Sequence, residues 1–296
     1  MWDSSSNLLD RYASDSNVRA IVLTGAGERS FVAGADISKF ETERASTEAM
    51  ASYNESVANF HNSLNAITKP TIARVNGYCI GGGLAIAIGC DIRVCSEKST
   101  FGVPAAKLGI GYKAKGIMEL ERLVGPAFTA EIFYTGRQFS SEEAKVMRLV
   151  NRVVSEDKLD EAVADLLGRV AQNAPLSIRA VKEALIESGK PDSERDFSAH
   201  HSTVEQCQTS SDYTEGRTAF MEKRRRGSAG SRRAARRRRA AASAGFSRFR
   251  LPAGIRENHE SFGLDDECLD SFCKAEGRTS LHSYQPADSA LWPLPG

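Results

Sequence analysis

Apolar and polar positions along the first two thirds of the chain follow two alternating periods. Leu8, Leu9 and Tyr12 mark a short amphipathic helix near the start. Val18-Arg19-Ala20-Ile21-Val22-Leu23 predicts a strand that is apolar on both faces from Ile21 to Leu23 and ends in Thr24-Gly25-Ala26-Gly27. From Glu43 to Ile67, the residues Tyr53, Val57, Phe60, Leu64 and Ile67 recur every three or four positions. This predicts a long helix, stopped by Lys69-Pro70. Thr71 to Val75 predicts a second buried strand, followed by an Asn76-Gly77 turn. Leu84 to Ile88 is apolar throughout and predicts a buried helix entered through Gly81-Gly82-Gly83; Asp91 to Cys95 predicts a third strand. Helix and strand alternate three times, the pattern of a parallel α/β sheet with right-handed crossovers. Helical patterns follow over 116–123, 126–134, 141–148, 159–173, 176–188 and 193–220. Ser140, with Glu142 and Glu143 behind it, has the composition of a helix cap.

Composition changes this picture at the two ends. The 296 residues are 41% hydrophobic and 26% charged, enough for one large core or two modest ones. No run approaches the roughly 18 apolar residues of a membrane span. Met1-Trp2-Asp3 and the serines after it lack the pattern of a signal peptide, and six cysteines in this length do not make a disulfide scaffold. A cytoplasmic location is expected. The net charge of +1 conceals three regions. Residues 1–222 hold 24 basic and 30 acidic groups, 223–250 hold 12 basic and none acidic, and 251–296 hold 3 basic and 8 acidic. The expected organisation is an α/β core over 1–152, a helical region over 153–226 and a disordered basic-then-acidic tail over 227–296. The arginine-rich run 224–239 could bind nucleic acid electrostatically, but a solvated tail or a shifted reading frame is the preferred reading.

Candidate chemistry centres on small residues. A triple glycine at a strand-to-helix junction exposes backbone N–H groups and lets a ligand approach closely. The alternative is that these glycines only allow tight helix–sheet packing. The run is neither a P-loop nor a Gly-x-Gly-x-x-Gly fingerprint. A second small-residue segment, Phe31-Val32-Ala33-Gly34-Ala35-Asp36-Ile37, follows the first strand and its turn. Two such segments at the C-terminal edge of a sheet, where open α/β sheets bind ligands, could each give one N–H to an oxyanion. No metal site is expected. His61, His200 and His201 have no partners at ligand spacing, and Cys79, Cys90 and Cys95 sit in apolar contexts where cysteine is an ordinary small hydrophobe.

Together these segments resemble the enoyl-CoA hydratase/isomerase, or crotonase, family. The matching stretches are VRAIVLTG (18–25), FVAGADI (31–37), KPTIARVNGYCIGGG (69–83), Cys90-Asp91-Ile92 and FGVPAAKLG (101–109). Thr135-Gly136-Arg137, Glu143-Ala144, Leu149-Val150-Asn151 and EGRTAF (215–220) follow, so the resemblance covers about 1–223. It implies a spiral of β-β-α units followed by a helical region that builds trimers or dimers of trimers. It also implies an acyl-CoA thioester as ligand and no tightly bound cofactor. The backbone N–H groups of Ala35 and Gly82 would form the oxyanion hole. Ala33, Ala35, Asp36 and Ile37 would line the coenzyme A side, and Phe220 and Lys223 would approach it from the C-terminal helix.

The chain also departs from the family. Hydratases of the family carry one glutamate two positions after the triple glycine and another after the proline of Phe-Gly-x-Pro; here these positions are Ala85 and Ala105. A methyl group transfers no proton. Replacement groups are sought in Tyr112, Glu119 and Glu121, with Lys113 and Lys115 as phosphate partners, while Asp36 and Asp91 are read as structural. The resemblance further implies an N-terminal hairpin with a first coenzyme A loop, which nothing in the chain matches, so the sheet is expected to lack edge strands. Three functions stay open: an enzyme, nominally an enoyl-CoA hydratase or else another enzyme of the superfamily; a non-catalytic acyl-CoA-binding protein; or a nucleic-acid-binding protein using residues 224–239.

Overall fold

The computed structural model describes residues 2–34, 46–224 and the strand 246–250. Two sheets carry the fold. The larger holds β1 (Ala20–Thr24), β3 (Thr71–Val75), β5 (Ile92–Ser96), β8 (Arg152–Val154) and β9 (Phe246–Arg250), in the order β8-β5-β3-β1-β9, all parallel. The smaller holds β2 (Ser30–Val32), β4 (Tyr78–Ile80), β6 (Thr100–Gly102) and β7 (Phe139–Ser140), in that order, with only β7 antiparallel. β1, β3 and β5 each turn into a short strand of the other sheet and then into a helix, which makes the expected β-β-α spiral. These helices are α2 (Thr47–Ala66), α3 (Gly82–Ile88) and, after a 3₁₀ turn over Pro104–Leu108, α4 (Ala114–Thr135). A first helix, α1 (Trp2–Ser14), packs beside α2.

β1 and β3 are buried at every position, which is why Ile21 to Leu23 and Ile72-Ala73 are apolar without alternation. Ile21, Leu23, Ala73, Val75 and Cys95 face the main core with Phe31 and Phe101 of the small sheet, Phe60 and Leu64 of α2, Leu84 and Ile86 of α3, and Leu120 and Ile132 of α4. On the other face Ala20, Val22, Ile72 and Val94 meet Leu159, Val163 and Leu167 of α6 (Leu159–Gln172). Arg74 is buried on that side, where its Nε donates to Asp160 at 2.6 Å.

The helical half begins with α5 (Ser141–Val146), entered through the expected cap. Glu143 N–H donates to Ser140 Oγ at 3.2 Å, and Ser140 N–H donates to Glu143 Oε2 at 2.8 Å. After α6 come α7 (Pro175–Ser188), α8 (Ser198–Thr209) and α9 (Ser211–Met221). The stretch read as helical over 193–220 is therefore two helices, because Ser210 adopts extended backbone and caps the second by accepting from Tyr213 N–H. The expected break between 116–123 and 126–134 is a kink inside α4, at Gly125 (φ 79°, ψ 168°) before Pro126. Lys182 of α7 reaches back to the core. Its ammonium donates to Asp91 Oδ1 at 2.5 Å, while Thr71 N–H and Oγ1 donate to Asp91 Oδ2 at 2.8 and 3.0 Å. The structural role expected of Asp91 is thus visible.

Two expectations need correction. The tail is not without regular structure throughout 227–296, because 246–250 is a strand. The sheet is not left open beside β1, because that strand pairs with it over five residues. Expected features at 43–45, 225–245 and 251–296 lie outside the described residues. No helix among the described residues is long and apolar enough to cross a membrane.

Candidate active site

Three segments meet at the C-terminal ends of the strands. The Gly81 N–H donates to Gly102 O at 2.8 Å, which ties the glycine run to the Phe-Gly-Val-Pro segment. Gly83 lies so close to β2 that a Cβ there would fall 2.1 Å from Val32 O. That contact brings the run against Val32 and the buried Ala33, after which Gly34 turns the chain at φ 121°.

The two readings of the triple glycine therefore each hold for part of it. Gly83 serves helix–sheet packing. Gly81, at φ 57°, makes the entry turn, and nothing lies within 4 Å of a Cβ built on either Gly81 or Gly82. No side chain caps α3, so the first-turn N–H groups, Gly82 among them, are free of a capping partner. Open space thus lies above Gly81 and Gly82 but not above Gly83, and with the Gly81 N–H already given to Gly102 O, Gly82 is the candidate donor beside that space. The residue names alone could not separate the three.

Ala85 is half-buried in α3, with its N–H donating to Gly81 O at 3.2 Å. Ala105 is buried in the 3₁₀ turn, where its carbonyl accepts from Ile110 N–H at 2.9 Å. Tyr112 packs edge-on against Phe133 of α4, with ring centroids 4.9 Å apart. Burial, assisted by nearby Tyr53, pushes its phenol up to about 12, so it stays protonated at neutral pH. Glu119 is drawn to the seam between α2 and α4, where Asn65 Nδ2 donates to it at 3.4 Å. Lys115 donates to Asn62 Oδ1 on the same seam at 3.3 Å, while Glu121 and Lys113 are exposed. Ala35, Asp36 and Ile37 lie outside the described residues.

Phe220 is 82% exposed in the last turn of α9, and nothing among the described residues covers it. Lys223 follows at φ 51°, also exposed, with its N–H bonded to Phe220 O at 3.1 Å. Cys79, Cys90 and Cys95 are buried free thiols. Burial raises all three, Cys90 and Cys95 to about 12, so they act as packing groups and not nucleophiles.

His61, beside Phe60 on α2, is held neutral. Burial first, and the Lys115 ammonium second, lower it from 6.5 to about 4. Between about pH 4 and 6.5 the unfolded chain therefore binds more protons at this residue than the folded one. Stability should rise with pH across that window and be lost on acidification, with a slope of at most about 1.4 kcal/mol per pH unit. In His61→Gln this part of the slope should vanish, as read from denaturant midpoints across the window.

The two-sheet spiral with a small-residue junction at its strand ends defines a crotonase-fold enzyme. The chain belongs to the enoyl-CoA hydratase/isomerase family, whose family model matches residues 3–227. It is 35% identical over 210 residues to the short-chain-enoyl-CoA hydratase of Clostridium acetobutylicum, covering 71% of this chain and 80% of that protein. It is 34% identical over 221 residues to the carnitinyl-CoA dehydratase of Proteus mirabilis, covering 72% and 82%. Among solved structures, an enoyl-CoA hydratase/carnithine racemase from Magnetospirillum magneticum superposes with a TM-score of 0.71 at 34% identity, over 76% of this chain and 84% of that one. The chain is accordingly a lyase/isomerase-like enzyme by family.

Proposed function

We propose that this chain binds an acyl-CoA thioester where 32–34, 81–83 and 102–105 converge, and that it polarises the thioester carbonyl with the backbone N–H groups of Ala35 and Gly82. The observation that carries this reading is the open space above Gly81 and Gly82, beside uncapped first-turn donors. Fixed N–H donors aimed at an enolate-like oxygen are typically worth about 3–4 kcal/mol each. Ala33, Asp36 and Ile37 would flank the coenzyme, and Lys223 would meet its phosphates.

The nominal reaction is hydration of a 2-enoyl thioester. Water oxygen bonds to Cβ, one water proton ends on Cα and the C=C double bond is lost. The oxyanion hole lowers the energy of the enolate formed on the way, but a proton donor and acceptor are still needed. Tyr112, protonated at neutral pH, can only donate. The second reading, acyl-CoA binding with slow or no turnover, is favoured by the methyl groups of Ala85 and Ala105.

Assembly into trimers or dimers of trimers is part of the proposal. It is supported by Val181 and Leu185 of α7 and Phe220 and Met221 of α9, which are 59–82% exposed.

The test is a thermal melt of the full chain with butyryl-CoA, a saturated thioester that cannot be hydrated, and with free coenzyme A as the control. At about 100 times Kd, linkage stabilises by about 2.7 kcal/mol, a rise of about 5–10 °C for a domain of this size. A melt that ignores the thioester overturns the binding site.

A further inference from the structure

Reactions of acyl thioesters differ in what they demand of a protein. Hydration, double-bond migration and thioester hydrolysis each move a proton through a positioned side chain. The described residues of the three converging segments offer none. Over 32–34, 81–85 and 102–105 the chain reads Val-Ala-Gly, Gly-Gly-Gly-Leu-Ala and Gly-Val-Pro-Ala, without one titratable group. Ala85 lies one turn past Gly81, to whose carbonyl its N–H donates at 3.2 Å, and Ala105, 8% exposed, lies in the 3₁₀ turn beyond Gly102. The Gly81 N–H, given to Gly102 O, ties together the two segments that carry these methyl groups. Elsewhere, the carboxylate of Glu119 is engaged by Asn65, Glu121 is exposed and Tyr112 packs on Phe133. The junction therefore sets an apolar wall beside open space and the uncapped N–H of Gly82.

We propose that the site decarboxylates an acyl-CoA thioester carrying a carboxylate on Cα, a 2-alkylmalonyl thioester. The inference rests on the acyl-thioester site proposed above and goes beyond it in naming the reaction. The bond between Cα and the carboxylate carbon breaks, and CO2 leaves. The electron pair of that bond becomes the carbon–carbon double bond of an enolate, whose negative oxygen meets the Gly82 N–H. Water entering through the open space then gives one proton to Cα, leaving the saturated thioester and hydroxide. No step requires a protein base, an oxidant or a reductant. The apolar wall assists, because a carboxylate set against the methyl groups of Ala85 and Ala105 gives up hydration that neutral CO2 does not need. The Gly82 donor acts where charge develops, since the enolate oxygen gains the charge that the carboxylate loses. The same two alanines that remove the proton transfers of hydration therefore suit this reaction.

Incubation of the full chain with ethylmalonyl-CoA, with CO2 and butyryl-CoA quantified, tests it beside the butyryl-CoA melt. Both products should appear in equal amounts, at least about 10²-fold faster than without protein, the worth of one oxyanion donor. Ala85→Glu sets a charge against the substrate carboxylate. It should slow the reaction at least about tenfold more than Ala85→Gln, which adds the same bulk without the charge. Both variants should keep the butyryl-CoA shift. A chain that butyryl-CoA stabilises but that releases no CO2 overturns the decarboxylation and leaves the binding site standing. A melt that ignores butyryl-CoA, with no CO2 released, overturns the binding site and this inference with it. Equal rates in Ala85→Glu and Ala85→Gln, both folded and binding butyryl-CoA, overturn the placement of the carboxylate against that wall.

Discussion

Ala85→Glu combined with Ala105→Glu is expected to raise hydration of a short enoyl-CoA by at least about 10²-fold over the wild-type chain. A positioned acid or base contributes about 10²–10⁴ for each transfer, and the two positions are those at which the family's hydratases carry their glutamates. The positions are not equivalent. Ala85 is half-buried, so a carboxylate there can keep some contact with water. Ala105 is 8% exposed, and a carboxyl group there must find hydrogen-bond donors or stay protonated. Ala85→Glu alone should therefore fold more readily, and Ala105→Glu alone should melt lower. The check is the initial rate of loss of enoyl-thioester absorbance, read beside a melt of each variant. A double variant that melts cooperatively and binds butyryl-CoA, yet hydrates no faster than wild type, rules out the two alanines as the deficit. The reacting carbons would then lie elsewhere in the site.

The second large effect separates glycines that the sequence cannot tell apart. Gly83→Ala would force a Cβ to within 2.1 Å of Val32 O and 2.7 Å of Val32 Cβ, and backbone cannot move aside cheaply. A loss of about 3 kcal/mol or more is expected, near a 10 °C fall in Tm for a domain of this size. Gly82→Ala meets nothing within 4 Å and occupies the first turn of α3, where alanine favours helix. Its Tm should stay level or rise slightly, while the butyryl-CoA-dependent shift disappears because the new methyl fills the approach to the donor. Equal Tm values for the two variants would contradict the packing described for Gly83. A full ligand shift in Gly82→Ala would contradict the proposed approach path.

Much of the fold is legible in the sequence because β1 and β3 are buried at every position. Ile21 to Leu23 and Thr71 to Val75 carry no polar interruption on the core side, and α2 shows its three- and four-residue spacing plainly. The second sheet is not legible in that way. Ser30–Val32, Tyr78–Ile80 and Thr100–Gly102 are three residues each, too short for any period to appear, and only the family resemblance supplies them. β9 escapes for a different reason. Its pairing joins residues more than 200 apart in the chain, and nothing local in an arginine- and alanine-rich stretch marks it. At the site, the convergence of the glycine run with Ala33 follows from the motifs. The exposure of Phe220 does not, since an aromatic residue in a helix looks the same whether its partner lies in its own chain or outside it.

Asp91 divides its two oxygens between near and distant donors. Oδ2 is satisfied by Thr71, 20 residues away, whereas Oδ1 waits for Lys182, 91 residues away. Before the helical half exists, the carboxylate can already join the starts of β3 and β5, with its second oxygen still in water. The ordering of the chain in time is thereby loosened. The strand pair need not wait for α7, because closing the longer loop costs more entropy and can come later. When α7 docks, its ammonium finds a carboxylate already fixed in place. The late arrival therefore acts as a latch on a finished core, restraining its opening more than it speeds its assembly.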